Sequence, residues 1–184
     1  MPEAAPICAA NLLHLGKRAA VDQALSRLAR TEKLVRICQG VYMRPVETRF
    51  GRRAPTLDKT LTALADLWGQ TIVPSGAASA HLLGLTTQIP VRSVYLTSGP
   101  NRRLRLGNME IELRHAPRWQ LAAPNSRAGA VIRALAWLGP DDVRERLGTV
   151  VLLLTAAEFE ELSQARATMP RWIAEPLSEL VASG

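Results

Sequence analysis

Between Ala19 and Arg30 the apolar residues Ala20, Val21, Ala24, Leu25 and Leu28 recur at spacings of four with their neighbours filled in, the stripe of an amphipathic helix. The other face carries Asp22, Gln23, Ser26, Arg27 and Arg30. Ahead of it, Ala9–Leu15 predicts a short helix closed by Gly16, a residue suited to the left-handed position past a helix end. Behind it, Lys33–Cys38 and Val41–Arg44 are β-prone runs around Gln39-Gly40, the pattern of a hairpin. Helix, tight turn, helix and small hairpin is the winged helix-turn-helix layout, in which the second helix enters the major groove and the hairpin lies along the backbone or minor groove. Such units also serve as protein-docking modules. The ten residues before Asn11 include Pro2 and Pro6 and leave no room for a full helix ahead of these two. Another segment supplies that packing face, or the natural chain starts upstream, or this copy binds DNA poorly.

Further along, Arg49–Pro55 reads as an exposed basic linker that separates a module at 1–48 from a larger one at 56–184. Leu57, Leu61, Leu64, Ala65 and Trp68 mark a helix ending at Gly69, and a second runs over Ala77–Leu83. Met109, Ile111, Leu113 and His115 alternate with Glu110, Glu112 and Arg114, a half-buried strand at period two. The Gly107-Asn108 turn sets a register in which Arg105 faces Glu110 and Arg103 faces Glu112. This favours structural pairing of the Arg102–Arg105 run over a second nucleic-acid contact. Ala128, Val131, Ile132, Leu135 and Leu138 predict a helix after Pro124, and Thr149–Thr155 is either strand or buried helix. Closing helices carry Phe159, Leu162, Trp172, Ile173, Leu177, Leu180 and Val181. Trp119, Trp137 and Trp172 are expected in the core. The fold class is α+β: an abbreviated winged helix-turn-helix, then a larger α+β domain with a small antiparallel sheet and C-terminal helices.

The chain has 184 residues, 47% of them hydrophobic and 21% charged, enough apolar material for packed cores and unlike a disordered chain. Leu67–Val91 lacks Asp, Glu, Lys and Arg, yet Gln70, Pro74, Gly76, His81, Gln88 and Pro90 interrupt it, so it is expected as buried core and not as a membrane span. Glu3, Pro2 and Pro6 stand where a secretory signal would carry positive charge and an apolar run, so a cytoplasmic location is expected. Cys8 and Cys38 make neither a disulfide framework nor a zinc site and are expected as free thiols.

The net charge of +7 is concentrated early: eleven basic residues stand against five acidic ones in the first sixty, and the remainder is close to balanced. An excess of that kind attracts polyanions, or forms a solvated basic face. Catalytic chemistry has no visible constellation. His14, His81 and His115 lack cysteine or carboxylate partners at a recognised spacing, Asp141-Asp142 and Glu158-Phe159-Glu160-Glu161 fit helix starts and solvent faces, and Ser75-Gly76 lacks the glycine of a nucleophile elbow. Gly76 alone does not make a phosphate loop. No enzyme activity, cofactor or metal is expected.

The run from Arg18 to Leu28, followed by Leu34-Val35-Arg36-Ile37 and Gln39-Gly40-Val41-Tyr42, resembles the N-terminal module of AbiEi-type antitoxins and related transcriptional regulators of bacterial type IV toxin–antitoxin systems. Val73–Leu85 and Leu96–Pro100 extend the resemblance, which covers roughly Asn11 to Leu180. It implies a DNA-binding repressor of its own operon joined to a domain with antitoxin duties, whose toxin is a nucleotidyltransferase-like protein. On this reading Gln23, Ser26 and Arg27 reach bases; Lys17, Arg18, Arg30, Arg36 and Arg44 hold phosphates; Gln39 and Gly40 form the wing tip. The partners expected are double-stranded operator DNA, the toxin and a second copy of the chain, with no membrane. The rival expectation is a protein-binding module that neutralises a toxin without specific DNA binding.

Overall fold

A computed structural model describes residues 5–49 and 51–183. The fold is α+β, and the chain divides into two compact units, the first made of residues 1–70 and 102–112, the second of 71–101 and 113–184.

In the first unit, strand β1 (Pro6–Cys8) leads into a 3-10 helix at Ala9–Leu15 and then helix α1 (Arg18–Arg30). Gly16, at φ 159° and ψ −178°, closes the 3-10 helix in an extended conformation, not the left-handed one expected. Val21 and Leu25 bury the apolar stripe of α1 against Ala9, Leu34 and Tyr42, while Leu28 stays 38% exposed. Helix α1 ends through Glu32, whose φ of 55° lets the amides of Lys33 and Leu34 bond back to Leu28. Strands β2 (Val35–Cys38) and β3 (Val41–Met43) then pair antiparallel around Gln39-Gly40, with an irregularity between Arg36 and Cys38.

Strand β1 adds antiparallel to the far edge of β3, giving the order β1-β3-β2. Both cysteines are free and both stand opposite Val41, Cys8 from one side and Cys38 from the other. Two strand spacings of about 4.8 Å hold their backbones too far apart for a disulfide.

The segment read as a linker is structured. Strands β4 (Val46–Thr48) and β5 (Gly51–Arg53) form an antiparallel hairpin, with Arg52 Nε on Glu47 Oε1 at 3.3 Å. Phe50 lies outside the described residues. Helix α2 (Leu57–Trp68) follows, buries Leu61 and Leu64, and closes on Gly69 in the left-handed conformation. It packs against β1 within this unit, so the first unit reaches past the boundary expected at 48. The unit is completed by β8 (Arg102–Leu106), which lies against β2, and by the first part of β9 (Met109–His115).

In the second unit, β6 (Ile72–Pro74) pairs antiparallel with β7 (Ser93–Thr97), and the end of β9 lies beside β7. Between them α3 (Gly76–Leu82) starts at Ser75, whose hydroxyl accepts from the Ala78 amide. After a 3-10 turn at Arg118–Leu121 come α4 (Arg127–Leu138), α5 (Pro140–Val151), α6 (Ala156–Ala165) and α7 (Arg171–Ser183). Thr149–Thr155, open between strand and helix in sequence, is the end of α5 and a turn. Val131, Ile132, Leu135, Leu147, Leu162, Ile173 and Leu177 are the centre of this core. Helix α4 is buried on every side from Ala128 to Leu135, beyond the single face its apolar residues predict.

Two other expectations fail here. The uncharged stretch 67–91 is not uniformly core: Leu82, Ile89 and Val91 are 77%, 74% and 99% exposed, because α3 ends at Leu82 and the loop after it runs over the surface. Trp137 is also exposed, since it sits past the buried part of α4. No helix among the described residues is long and apolar enough to cross a membrane.

Candidate nucleic-acid interface

The face of α1 turned away from Val21 and Leu25 holds Asp22, Gln23, Ser26, Arg27 and Arg30 around a shallow depression of about 430 Å³. A period of 3.6 residues puts these positions on one side once the apolar stripe has been buried. Gln23, Arg27 and Arg30 are exposed. Ser26 is half-buried, with its Oγ 3.5 Å from Tyr42 Oη, so it turns toward β3 and docks the helix on the sheet.

Lys17 precedes the first turn of α1, and Arg18 Nε donates to Asp22 Oδ2 at 3.0 Å across one turn. Both partners are about half exposed, so this pair contributes at most about 0.5 kcal/mol and can be exchanged for another anion. A Cβ placed on Gly40 would lie 4.0 Å from Arg18 Nη2. The N-terminus of α1 therefore stands beside the hairpin tip, which Gly40 forms at φ 72° and anchors through its carbonyl to the Ala9 amide at 3.0 Å. Arg36, opposite Tyr42 in β2, and Gln39 are exposed.

Arg44 is placed differently. With Lys33 and Arg52 it lines a groove of about 800 Å³ floored by Ile7, Leu12, Leu25 and Leu34, so it does not join the depression on α1. Two basic residues of β8 serve structural ends within the first unit: Arg102 lies 4.3 Å from the centre of the Trp68 ring and donates to Gln70 Oε1 at 2.8 Å, and Arg105 Nε donates to the Gly107 carbonyl.

The model of a family of unknown function, DUF6088, matches residues 2–161. The chain belongs to that family. The match runs through the whole of α1, both hairpins of the first unit and most of the second. No curated protein matches this DUF6088 member, and no solved structure does.

Sequence reasoning missed one charged residue of note. Arg133 of α4 is 2% exposed, and burial pushes its pKa down to about 10. Its position inside the run Ala128–Leu138, with apolar or small residues on both sides, is the signal that could have found it. Among the described residues no cluster of three or more His, Cys, Asp or Glu side chains is arranged to hold a metal.

Proposed function

We propose that the first unit is a winged helix-turn-helix that reads double-stranded DNA and that the chain acts as a transcriptional repressor. The observation that carries this reading is the pairing of an exposed polar helix face, Gln23, Arg27 and Arg30, with a hairpin tip at Gln39-Gly40 beside Arg18. A 13-residue helix is about 20 Å long and fits a major groove about 12 Å wide.

In this arrangement Gln23 and Arg27 contact base edges, the amide suiting adenine and the guanidinium guanine. Ser26 assists from its place against Tyr42. Lys17, Arg18, Arg30 and Arg36 hold phosphates, and Arg44 does so from its separate groove. The test is fluorescence anisotropy with the duplex immediately upstream of the gene and a scrambled duplex, across a salt series. Five phosphate contacts predict a slope of log K against log salt of about −4.5, with clear preference for the upstream duplex. Weak and equal binding to both refutes the reading and turns it to the protein-binding module.

A further inference from the structure

Within the second unit, a cavity of about 360 Å³ lies between α3 and the start of α4, lined by Pro74, Ser79, Leu82, Leu83, Pro124, Asn125, Ser126, Arg127, Ala130 and Arg133. No acidic side chain lines it. Arg133 Nε reaches Ser79 Oγ at 3.4 Å, a long bond, and its Nη1 is buried without any hydrogen-bond partner. A side chain on a helix leans toward the N-terminal end, which here is the end where Ser126, Arg127 and Ala130 face the cavity. The Ser79 contact places the guanidinium on that same side.

A buried guanidinium with an orphaned donor and no carboxylate partner is costly unless something anionic meets it. The neighbouring charges are already served. Arg127 Nη1 donates to the Leu153 carbonyl at 3.0 Å, and the Glu158 carboxylate, held low chiefly by the Thr155 amide and hydroxyl, accepts from both. The start of α4 is thus occupied, whereas Arg133 Nη1 is not.

We propose that this cavity binds a small oxyanion-bearing ligand, a phosphate monoester or short carboxylate, through Arg133 with the Ser79 and Asn125 side chains as further donors. The planar guanidinium suits both oxyanions, and Leu82, Leu83, Pro74 and Pro124 give the remainder of a compact ligand an apolar wall. With Arg133 only 2% exposed, a polymer backbone does not reach it, so the ligand is a small molecule.

The experiment is thermal unfolding of the full chain in increasing inorganic phosphate or acetate against sodium chloride at matched ionic strength, on wild type, Arg133→Met and Asn125→Ala, with phosphorus NMR line broadening as the direct readout. Wild type shows a saturable rise in Tm with phosphate or acetate beyond chloride. Arg133→Met shows none, and Asn125→Ala, which leaves the buried charge in place, needs about tenfold more anion. A rise with phosphate but not acetate assigns the phosphate class, and the reverse assigns the carboxylate. Curves that overlay chloride for both anions overturn the proposal, as does an undiminished phosphate shift in Arg133→Met. Should that variant fail to fold, an unchanged response of Asn125→Ala together with unbroadened phosphorus lines in wild type overturns it instead.

Discussion

Replacing Gly129 by alanine sets two physical effects against each other. Gly129 lies inside the first turn of α4 with ordinary helical backbone, so helix propensity alone favours alanine by about 1 kcal/mol. Packing opposes it. A Cβ there would stand 2.0 Å from the Ala123 carbonyl oxygen and 2.8 Å from that of Ala122, both backbone atoms that no rotamer change moves away. The loop has little slack, because Ala123 already holds a φ of 45°. Relieving the overlap requires more than 1 Å of backbone displacement, at the upper end of the roughly 1–3 kcal/mol typical of overpacked cores. The net expectation is a loss of about 2 kcal/mol, or about 4–8 °C in Tm for a chain of this length. Gly148→Ala is the matched control: it lies in α5 with open space around its Cβ position, so it raises stability by about 0.5–1 kcal/mol. Calorimetry on both variants decides the point. A Tm for Gly129→Ala at or above wild type refutes the packing argument.

Three further outcomes are expected. Glu32→Gly relieves a left-handed residue at the end of α1 and raises the urea midpoint, by up to about 1 kcal/mol in stability; a lower midpoint contradicts the assignment of strain there. Burial raises the Cys38 thiol above its ordinary value, with Arg102 and Arg36 opposing, so alkylation mapped by mass spectrometry reaches half-maximal rate at higher pH in the native chain than in the denatured one. Because the native state keeps this proton longer, its contribution to stability is full below the ordinary thiol pKa of about 8.5 and falls as pH rises past it; identical native and denatured profiles refute the claim. Arg44→Ala weakens binding to the upstream and scrambled duplexes alike and reduces the salt slope by about 0.9, whereas a loss confined to the upstream duplex contradicts a phosphate role.

The elements that were legible in sequence are those with enough length for a period. Helix α1, helix α2 with Gly69, the hairpin around Gln39-Gly40 and strand β9 all follow from spacing, although only Ile111 and Leu113 of the expected inner face of β9 are buried while Met109 and His115 are exposed. Strand β1 is three residues long, too short for any period, and it shows itself only by pairing with β3. The hairpin β4–β5 has almost no apolar content, and a basic run such as Arg52-Arg53 reads as linker when only composition is available. Helix α4 is rich in alanine and glycine, whose close packing is set by neighbours that sequence does not reveal, so burial on every side was invisible. For the same reason the burial of Arg133 and the exposure of Trp137 do not follow from spacing.

Within the candidate interface, the helix face was legible because amphipathicity fixes which residues point outward. The contact of Ser26 with Tyr42 was not, since it depends on how α1 docks on β3, and neither was the separation of Arg44 from the other basic residues. On the proposed reading, these two placements leave Gln23 and Arg27 as the principal base contacts.

The most direct measurement is the ratio of affinities for the upstream and scrambled duplexes, determined for wild type and for Arg27→Ala at one salt concentration. A reading helix on α1 predicts a wild-type ratio on the order of a thousand or more and a fall of about 5- to 150-fold in the variant, the equivalent of about 1–3 kcal/mol of lost discrimination. A wild-type ratio near one, or a ratio that Arg27→Ala leaves unchanged, contradicts the account.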